Sequence, residues 1–255
     1  MRGGFVPFIA VKHPTTVIPV AAAVAPATVP AWKRILDVSL TLGALPVLVL
    51  VSAVIAVAIK CVSRGPVLFR QERIGLKGKP FICLKFRTMR VNAATTGHEA
   101  YLQTLMKSDQ PMTKMDCQGD SRLIPLGSIL RSTGLDELPQ LINVLRGEMS
   151  IVGPRPCLRY EYDSYKPWQK QRFNSLPGLT GLWQVSGKNK TTFEQMIRMD
   201  IRYAETRSLG LDLAIMLKTL PVLIFQAAEM LRRRHKRQRN ATPAPAAEDH
   251  TGRAA

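Results

Sequence analysis

The sequence predicts an α+β fold that is mainly helical. A membrane-associated hydrophobic helix near the N-terminus precedes a globular domain that contains a small β-hairpin. Three observations predict this fold. The segment from Val38 to Ile59 has 22 residues without a charge, about the length that crosses a bilayer core as a helix. Two short β-type runs follow, separated by a turn that contains two glycines. Several later apolar segments show helical spacing.

The composition limits the kind of protein and the kind of partner. The chain has 255 residues, 46% hydrophobic and 21% charged, so a wholly disordered protein is excluded. Its 36 Lys and Arg residues outnumber 18 Asp and Glu, giving a net charge of +18. This charge indicates a polyanionic partner such as nucleic acid, anionic lipid or a phosphorylated substrate. Aromatic residues are only 6%, which argues against base stacking on nucleic acid.

The cysteines and histidines show no metal or disulfide pattern. The four cysteines (Cys61, Cys83, Cys117 and Cys157) are far apart, without a CxxC pair, and the histidines lack HExxH spacing. A zinc site and a disulfide framework are therefore not expected. We expect reduced, structural thiols, as in the cytosol.

The N-terminal part divides into a leader and a membrane helix. Residues 1–31 are rich in Ala, Val and Pro, and five prolines interrupt any helix. We expect a flexible leader there. Residues 32–60 form the predicted membrane helix, and Trp32, Lys33 and Arg34 at its start suit an interface anchor.

Charge does not set the orientation of this helix, because basic residues lie at both ends. Lys33 and Arg34 lie at its start, and Lys60 and Arg64 lie at or just after its end. Pro46 lies within the apolar run, where it removes a backbone hydrogen bond and can bend the helix. One solution is a re-entrant helix that enters the membrane, bends and leaves on the same face. A spanning helix is the alternative.

Residues 61–226 are predicted to form the globular domain. The hairpin strands lie around residues 66–69 and 81–84, on either side of a turn from Gly75 to Gly78. Helices are expected near residues 99–106 and 193–203. Leu138, Leu141, Ile142 and Leu145 also have helical spacing, and Gly147 follows them as a stop signal.

The C-terminal part has an apolar stretch and a basic tail. Leu211 to Phe225 is a 15-residue stretch, too short to cross a bilayer comfortably. A core helix is slightly favoured over one in the membrane interface. Residues 227–255 are predicted to form a basic, disordered tail, with six charges between Arg232 and Arg239. A solvated tail and a patch bound to anionic lipid both fit this segment.

The densest group of reactive side chains lies between Arg131 and Pro156. Asp136 and Glu137 stand just before the predicted helix near Pro139, where carboxylates face free N–H groups. The purely structural interpretation is that this pair caps the helix. The alternative is a nucleophile at phosphorus and a ligand for a hard cation such as Mg²⁺. Arg131 upstream and the rigid Pro154-Arg155-Pro156 turn, whose guanidinium suits phosphate, favour this second interpretation.

Further basic residues lie on the predicted hairpin. Lys85 and Arg87 alternate on one strand face, and both a solvated face and a phosphate-facing pair fit this pattern. Arg70 and Arg73 are similarly ambiguous. The sequence contains no Walker A motif, strand-linked GxGxxG or GxSxG elbow, which removes most other routes to phosphate or acyl chemistry.

These motifs resemble those of the bacterial sugar transferases, the monotopic polyprenyl-phosphate phosphoglycosyl transferases that begin exopolysaccharide, capsule or glycan assembly. The sequence shows no further predicted membrane span upstream. In this respect it resembles the short exopolysaccharide-initiating members of the family, of undecaprenyl-phosphate galactose or glucose phosphotransferase type. The likeness covers about residues 32–225. It includes, in order, KRILD at 33–37 with the apolar run, QERIG at 71–75, KFRTM at 85–89, the block from Asp136 to Pro156, and PGLTGLWQVSG at 177–187.

The resemblance implies transfer of a sugar 1-phosphate from a UDP-sugar to undecaprenyl phosphate, with release of UMP. Asp136 matches the nucleophile that forms a covalent phosphosugar intermediate, and Glu137 matches its Mg²⁺-binding partner. Arg131 and Arg155, the latter between Pro154 and Pro156, match phosphate-contacting positions. Lys85 and Arg87 match a supporting basic motif.

The resemblance also implies a place in the cell. The family's membrane helix is re-entrant and kinked at a Ser-Pro pair, which would fall on Val49 and Leu50, whereas this chain has Pro46 one turn earlier. The catalytic domain is expected on the inner leaflet of the bacterial cytoplasmic membrane, facing the cytoplasm. Undecaprenyl phosphate, a UDP-sugar and membrane lipids are the expected partners, without nucleic acid. Homo-oligomerisation stays open.

Two questions stay open at the level of sequence. Glucose and galactose are the leading sugars by resemblance, and N-acetylated sugars remain alternatives. The rival function is that of a non-enzymatic, membrane-tethered basic protein. In that case the tail binds nucleic acid or anionic lipid and the Asp136–Glu137 pair is only a cap.

Overall fold

A computed structural model describes residues 28–91, 93, 96–108, 110–112, 122–187 and 190–241. The described part is mostly helical, as predicted, and has two small sheets, of which the sequence predicted only the hairpin. Its helices are α1 (Ala31–Val62), α2 (Thr96–Lys107), α3 (Gly127–Thr133), α4 (Gln140–Arg146), α5 (Arg159–Ser164), α6 (Leu182–Val185), α7 (Phe193–Thr206) and α8 (Leu209–Ala241). Its strands are β1 (Leu68–Ile74), β2 (Pro80–Phe86), β3 (Ser150–Val152) and β4 (Gly178–Thr180). The expected leader falls largely on residues 1–27, outside the described residues.

The apolar segment forms one helix, α1, that touches the domain at both ends. Near its start, the Arg34 guanidinium donates to the backbone carbonyls of α4 residues Val144 and Leu145. Near its end, Ile55 and Ile59 are buried with Phe86. Between these contacts, residues 42–47 are all exposed. The predicted boundaries of 32–60 agree with the helix within two residues at each end.

The predicted hairpin is confirmed. Strands β1 and β2 pair antiparallel, with Leu68 opposite Phe86 and Ile74 opposite Pro80. A single 3₁₀ turn, Leu76–Gly78, joins them. Gly78 has a φ of 75°, a left-handed conformation that glycine adopts without the steric cost of a Cβ. Glycine at this position therefore explains how so short a connection reverses the chain.

Two left-handed glycines bound the segment that holds the acidic pair. Gly134 (φ 73°) ends α3, and Gly147 (φ 78°) ends α4. The sequence predicted the second of these ends. Between them, Leu135–Glu137 form a 3₁₀ turn, hereafter the acidic turn. Pro139 directly precedes α4. Two chain reversals therefore present Asp136 and Glu137 at a tight corner.

A second, parallel sheet brings the Gly153–Pro156 turn against the Gly-rich motif. Ser150 pairs with Gly178 and Val152 with Thr180. The Gly153 amide donates to the Thr180 carbonyl at 2.8 Å. A Cβ on Gly153 would lie 2.2 Å from the carbonyl oxygen of Leu176, and one on Gly181 would lie 2.2 Å from that of Gly153. The glycines are therefore required by backbone contact.

The second apolar stretch differs from its prediction. Helix α8 is not a core helix: Asp212 and Ile215 are buried, but a stripe of large apolar side chains at helical spacing is exposed. This α8 stripe comprises Leu209, Leu213, Leu217, Leu220 and Ile224. Because the domain covers only the opposite face, the interfacial alternative fits the structure and the core-helix preference is wrong.

The helix also continues beyond the expected end of the domain. It runs through Pro221 to Ala241. Residues 227–241 are therefore helical, whereas the sequence predicted disorder there. Ala, Leu, Gln, Lys and Arg predominate there and are good helix formers. The rest of the predicted tail, residues 242–255, lies outside the described residues.

The main core lies beneath helices α2, α5 and α7. Its buried members include Leu102, Phe173, Phe193 and Ile197. Helix α7 begins with a capping box. The Thr192 hydroxyl accepts a hydrogen bond from the Gln195 backbone amide, and the Gln195 side-chain carbonyl accepts one from the Thr192 backbone amide. The predicted helices near residues 99–106 and 193–203 are thereby confirmed as parts of α2 and α7.

Candidate active site

The acidic turn meets the end of strand β2. The Lys85 ammonium lies 2.7 Å from Glu137 Oε1, and both side chains are partly exposed. Asp136, one residue earlier, is 8% exposed. The Asp136 carboxylate is therefore shielded from solvent, whereas the neighbouring Glu137 carboxylate is accessible to a cation.

Arg155 lies in the second predicted part of the site, at the rigid turn that follows β3. Its Nη1 donates to Glu161 Oε2 at 3.1 Å; about a quarter of the Arg155 side chain is exposed, whereas that of Glu161 is fully buried. Burial alone would raise the pKa of Glu161, but Arg155 and Arg73 lower it below its ordinary value. Glu161 is therefore ionised at neutral pH and holds one side of the Arg155 guanidinium.

The flanking prolines fix this turn through their carbonyls. The Pro154 carbonyl accepts from the Gly178 amide at 2.9 Å. The Pro156 carbonyl accepts from Arg73 Nη1 at 3.2 Å. Both prolines predicted at the site thus position the backbone on either side of Arg155.

The hairpin joins the two parts of the site. Strand β1 holds the Arg155 turn, because the Ile74 amide donates to the Cys157 carbonyl at 2.9 Å. Strand β2 holds the acidic turn through Lys85 and Glu137. Residue 74 pairs with residue 80, so these attachments are five residues, or about 17 Å, apart along the strand.

Cys83 is buried on β2 between the attachments, and charges from both parts of the site act on it. Burial raises the pKa of this thiol, and the charges of Lys85, Arg73 and Arg155 lower it while that of Glu137 raises it further. The structure pairs Lys85 with Glu137 and joins Arg73 to the Arg155 turn through the Pro156 carbonyl. A common site of Arg155 and the acidic turn stays a prediction.

Arg87 and Arg131 occupy different positions. Arg87 is buried, and its guanidinium donates to the backbone carbonyls of Arg64 at 2.6 Å and Ser63 at 2.8 Å, just after α1. It therefore fastens the end of the membrane helix to the domain. Arg131 lies half-buried in the last turn of α3, and α3 packs against the acidic turn. Phosphate contact by Arg87 and Arg131 stays a prediction.

The sequence did not reveal a buried ion pair that ties α1 to α8. The Lys33 ammonium donates to Asp212 Oδ2 (2.6 Å), Tyr203 Oη (2.8 Å) and the Val152 carbonyl (2.9 Å). These bonds use all three protons of the ammonium group. The only signal was a carboxylate within an apolar stretch, which did not identify its partner.

A second buried pair, Arg172 and Asp200, was also missed. Arg172 Nη2 lies 2.5 Å from Asp200 Oδ2, and both side chains are almost wholly inaccessible. Burial raises the pKa of Asp200 to about 6, against the opposing effects of Arg172 and Arg155. Asp200 is therefore predominantly ionised at neutral pH.

The residues present suit a cation that arrives with phosphates. Among the described residues, no group of three His, Cys, Asp or Glu side chains could hold a metal ion. Mg²⁺, however, commonly binds one or two carboxylates together with substrate phosphates and water. The partly exposed carboxylate of Glu137, next to Asp136, has this donor chemistry.

The whole-chain comparison identifies the class of protein. A family model described as bacterial sugar transferase matches residues 28–226. This range includes α1, the hairpin, both parts of the site and the apolar part of α8. The chain belongs to the bacterial sugar transferase family.

Three curated relatives show the range of similarity. The chain is 39% identical over 191 residues to the exopolysaccharide production protein ExoY of Sinorhizobium fredii, covering 75% of this chain and 84% of ExoY. It is 43% identical over 204 residues to the UDP-glucose:undecaprenyl-phosphate glucose-1-phosphate transferase of Caulobacter vibrioides, covering 75% of this chain and 69% of the relative. It is 37% identical over 166 residues to the undecaprenyl-phosphate galactose phosphotransferase of Salmonella typhimurium, covering 63% of this chain and 34% of the relative. The chain thus corresponds to most of ExoY but to about a third of the Salmonella protein.

Proposed function

We propose that this protein transfers a sugar 1-phosphate from a UDP-sugar to undecaprenyl phosphate and releases UMP, initiating exopolysaccharide, capsule or glycan assembly. Two curated relatives are a UDP-glucose:undecaprenyl-phosphate glucose-1-phosphate transferase and an undecaprenyl-phosphate galactose phosphotransferase. The observation that carries the proposal is one hairpin that holds both the acidic turn and the Arg155 turn, in a chain of this family.

The proposed reaction has two displacements. The Asp136 carboxylate attacks the phosphorus that bears the sugar, the bond to the UMP phosphate oxygen breaks, and UMP leaves. A phosphate oxygen of undecaprenyl phosphate then attacks the same phosphorus and releases Asp136. Two displacements let one site serve a soluble and a lipid substrate in turn. The partly exposed Arg155 guanidinium offsets phosphate charge.

Glu137 is the proposed ligand for Mg²⁺, which when bound would offset negative charge on the diphosphate. Lys85 already lies 2.7 Å from Glu137, so it holds the carboxylate in place before the substrate binds. Lys85 also presents a positive charge at the edge of the same region. Asp136 remains shielded from solvent at the neighbouring position.

The protein is membrane-associated, and we propose that α1 is re-entrant. Helices α1 and α8 are both long and apolar enough to cross a membrane. Support for re-entry comes from Arg34 and Ile59, which lie near opposite ends of α1 and contact the same domain. A spanning helix would separate its ends by about 30 Å of hydrocarbon. The α8 stripe gives the domain a second contact with the inner leaflet, with the active site facing the cytoplasm.

The function is tested by measuring UMP release from purified protein with undecaprenyl phosphate and a panel of UDP-sugars. We expect multiple-turnover release that requires both the lipid and Mg²⁺, with UDP-glucose or UDP-galactose as donor, and loss of release in EDTA. Excess Mg²⁺ should restore the activity. Absence of UMP release with every UDP-sugar, from protein that is folded and lipid-embedded, would contradict the proposal.

Replacing Arg155 by Ala is expected to lower transfer by about 100-fold, because a charge-assisted contact to phosphate is lost. The measurement is UMP release at saturating lipid, with thermal unfolding followed in parallel. Arg159→Ala is the matched control, since Arg159 lies nearby on α5, is exposed and forms an ion pair with the exposed Asp163. An Arg155→Ala enzyme as active as this control would remove Arg155 from the site.

A further inference from the structure

The surroundings of Arg155 contain charged groups that the proposed mechanism does not use. Glu161 is fully buried, and both of its oxygens are engaged: Oε2 by Arg155 Nη1 at 3.1 Å, and Oε1 by the Leu158 amide at 3.2 Å. A carboxylate is costly to bury, and pairing with a cation offsets that cost. The position of Glu161 is therefore tied closely to that of Arg155.

A second buried charge holds the backbone of the same arginine. Arg172 Nη2 donates to the Arg155 carbonyl at 2.8 Å and lies 2.5 Å from Asp200 on α7. Arg172 Nη1 donates to Tyr165 Oη at 2.7 Å. Tyr165 in turn makes a longer bond to Glu161 Oε2, at 3.4 Å. The side chain and the carbonyl of Arg155 are thus held from one buried network.

We infer that Glu161, Arg172 and Asp200 form a buried support that sets the position of the Arg155 guanidinium toward substrate phosphate. This inference rests on the proposed function. Glu161 accepts a bond from Nη1, and the guanidinium has five N–H donors in a fixed plane. Fixing Nη1 therefore orients the remaining donors without consuming them. The three supporting residues are positioning residues and do not touch the substrate.

This role differs from a purely structural one in a measurable way. A residue that acts through Arg155 has no effect on catalysis once the guanidinium is gone. A residue that only stabilises the fold lowers activity equally with and without Arg155. A double-mutant cycle between positions 155 and 161 separates the two roles.

The test compares Glu161→Gln in the natural chain and in Arg155→Ala, with UMP release measured under single-turnover conditions in lipid nanodiscs. In the natural chain we expect a loss of roughly 10- to 100-fold, as for other supporting partners of catalytic groups. In the Arg155→Ala background we expect a change of less than about twofold. The double variant should also be more thermally stable than Arg155→Ala, because it no longer buries an unpaired carboxylate.

Asp163→Asn is the matched control, because Asp163 lies on the same helix and is exposed, and this substitution removes the same charge. It should behave as the natural chain in both backgrounds. Equal losses from Glu161→Gln in both backgrounds would overturn the support role, and so would activity equal to that of Asp163→Asn. If Glu161→Gln fails to fold, Tyr165→Phe takes its place in the cycle with the same expected asymmetry. The proposed function fails separately, if the natural chain releases no UMP.

Discussion

Replacing Asp136 by Asn is expected to abolish sugar-phosphate transfer, lowering the rate by roughly 10³-fold or more. The amide has nearly the same shape as the carboxylate, so the buried corner at residue 136 should still pack. It lacks the negative charge needed to attack phosphorus. The measurement is UMP release, together with mass spectrometry of protein quenched after exposure to the UDP-sugar and Mg²⁺ without the lipid acceptor.

The natural chain should gain the mass of a phosphosugar under these conditions, and Asp136→Asn should not. Both should fractionate with membranes. Asp163→Asn, which changes an exposed carboxylate on α5, serves as the control for a lost charge. Turnover by Asp136→Asn at a rate close to the natural one would refute the assignment of the nucleophile.

Replacing Lys33 by Met is expected to destabilise the protein by about 3–5 kcal/mol, because it leaves the Asp212 carboxylate buried without its cation. Asp212 and Lys33 are each at most 2% exposed, so water cannot replace the lost interaction. The measurement is denaturant unfolding in detergent micelles, followed by circular dichroism. The free energy of unfolding is compared with that of the natural chain.

The double variant Lys33→Met with Asp212→Leu tests the cause. It removes both charges, and Tyr203 Oη can still donate to the Val152 carbonyl, which lies 3.0 Å away. We expect the double variant to recover at least half of the lost stability. Arg198→Met, at an exposed ion pair, should change stability little. A Lys33→Met protein as stable as Arg198→Met would show that the buried pair contributes nothing.

The parts that were predictable from sequence depend on local patterns. The hairpin followed from β-type runs around the Gly75–Gly78 turn, and the end of α4 from Gly147 after apolar residues at helical spacing. The closeness of Lys85 to the acidic pair was anticipated from family motifs and not from spacing. Local rules applied because each of these elements is specified by residues close together in the chain.

The parts that could not be predicted depend on distant contacts. Lys33 and Asp212 are 179 residues apart, and no local pattern links them. Strand alternation placed Arg87 with Lys85, whereas its guanidinium binds the carbonyls of Ser63 and Arg64. Leu217 belongs to an apolar stretch that suits either a core or an interface, and only the packed structure shows which face is exposed.

Attachment of α1 at both ends couples solubilisation to the fold of the domain. A detergent that displaces this helix also strains the contacts of Arg34 with the α4 carbonyls, or those of Ile59 with Phe86. Inactivation during extraction is then loss of domain structure as well as loss of lipid. Resupplying the lipid acceptor alone would leave such a preparation inactive, whereas reconstitution into a bilayer that restores both attachments of α1 would recover it.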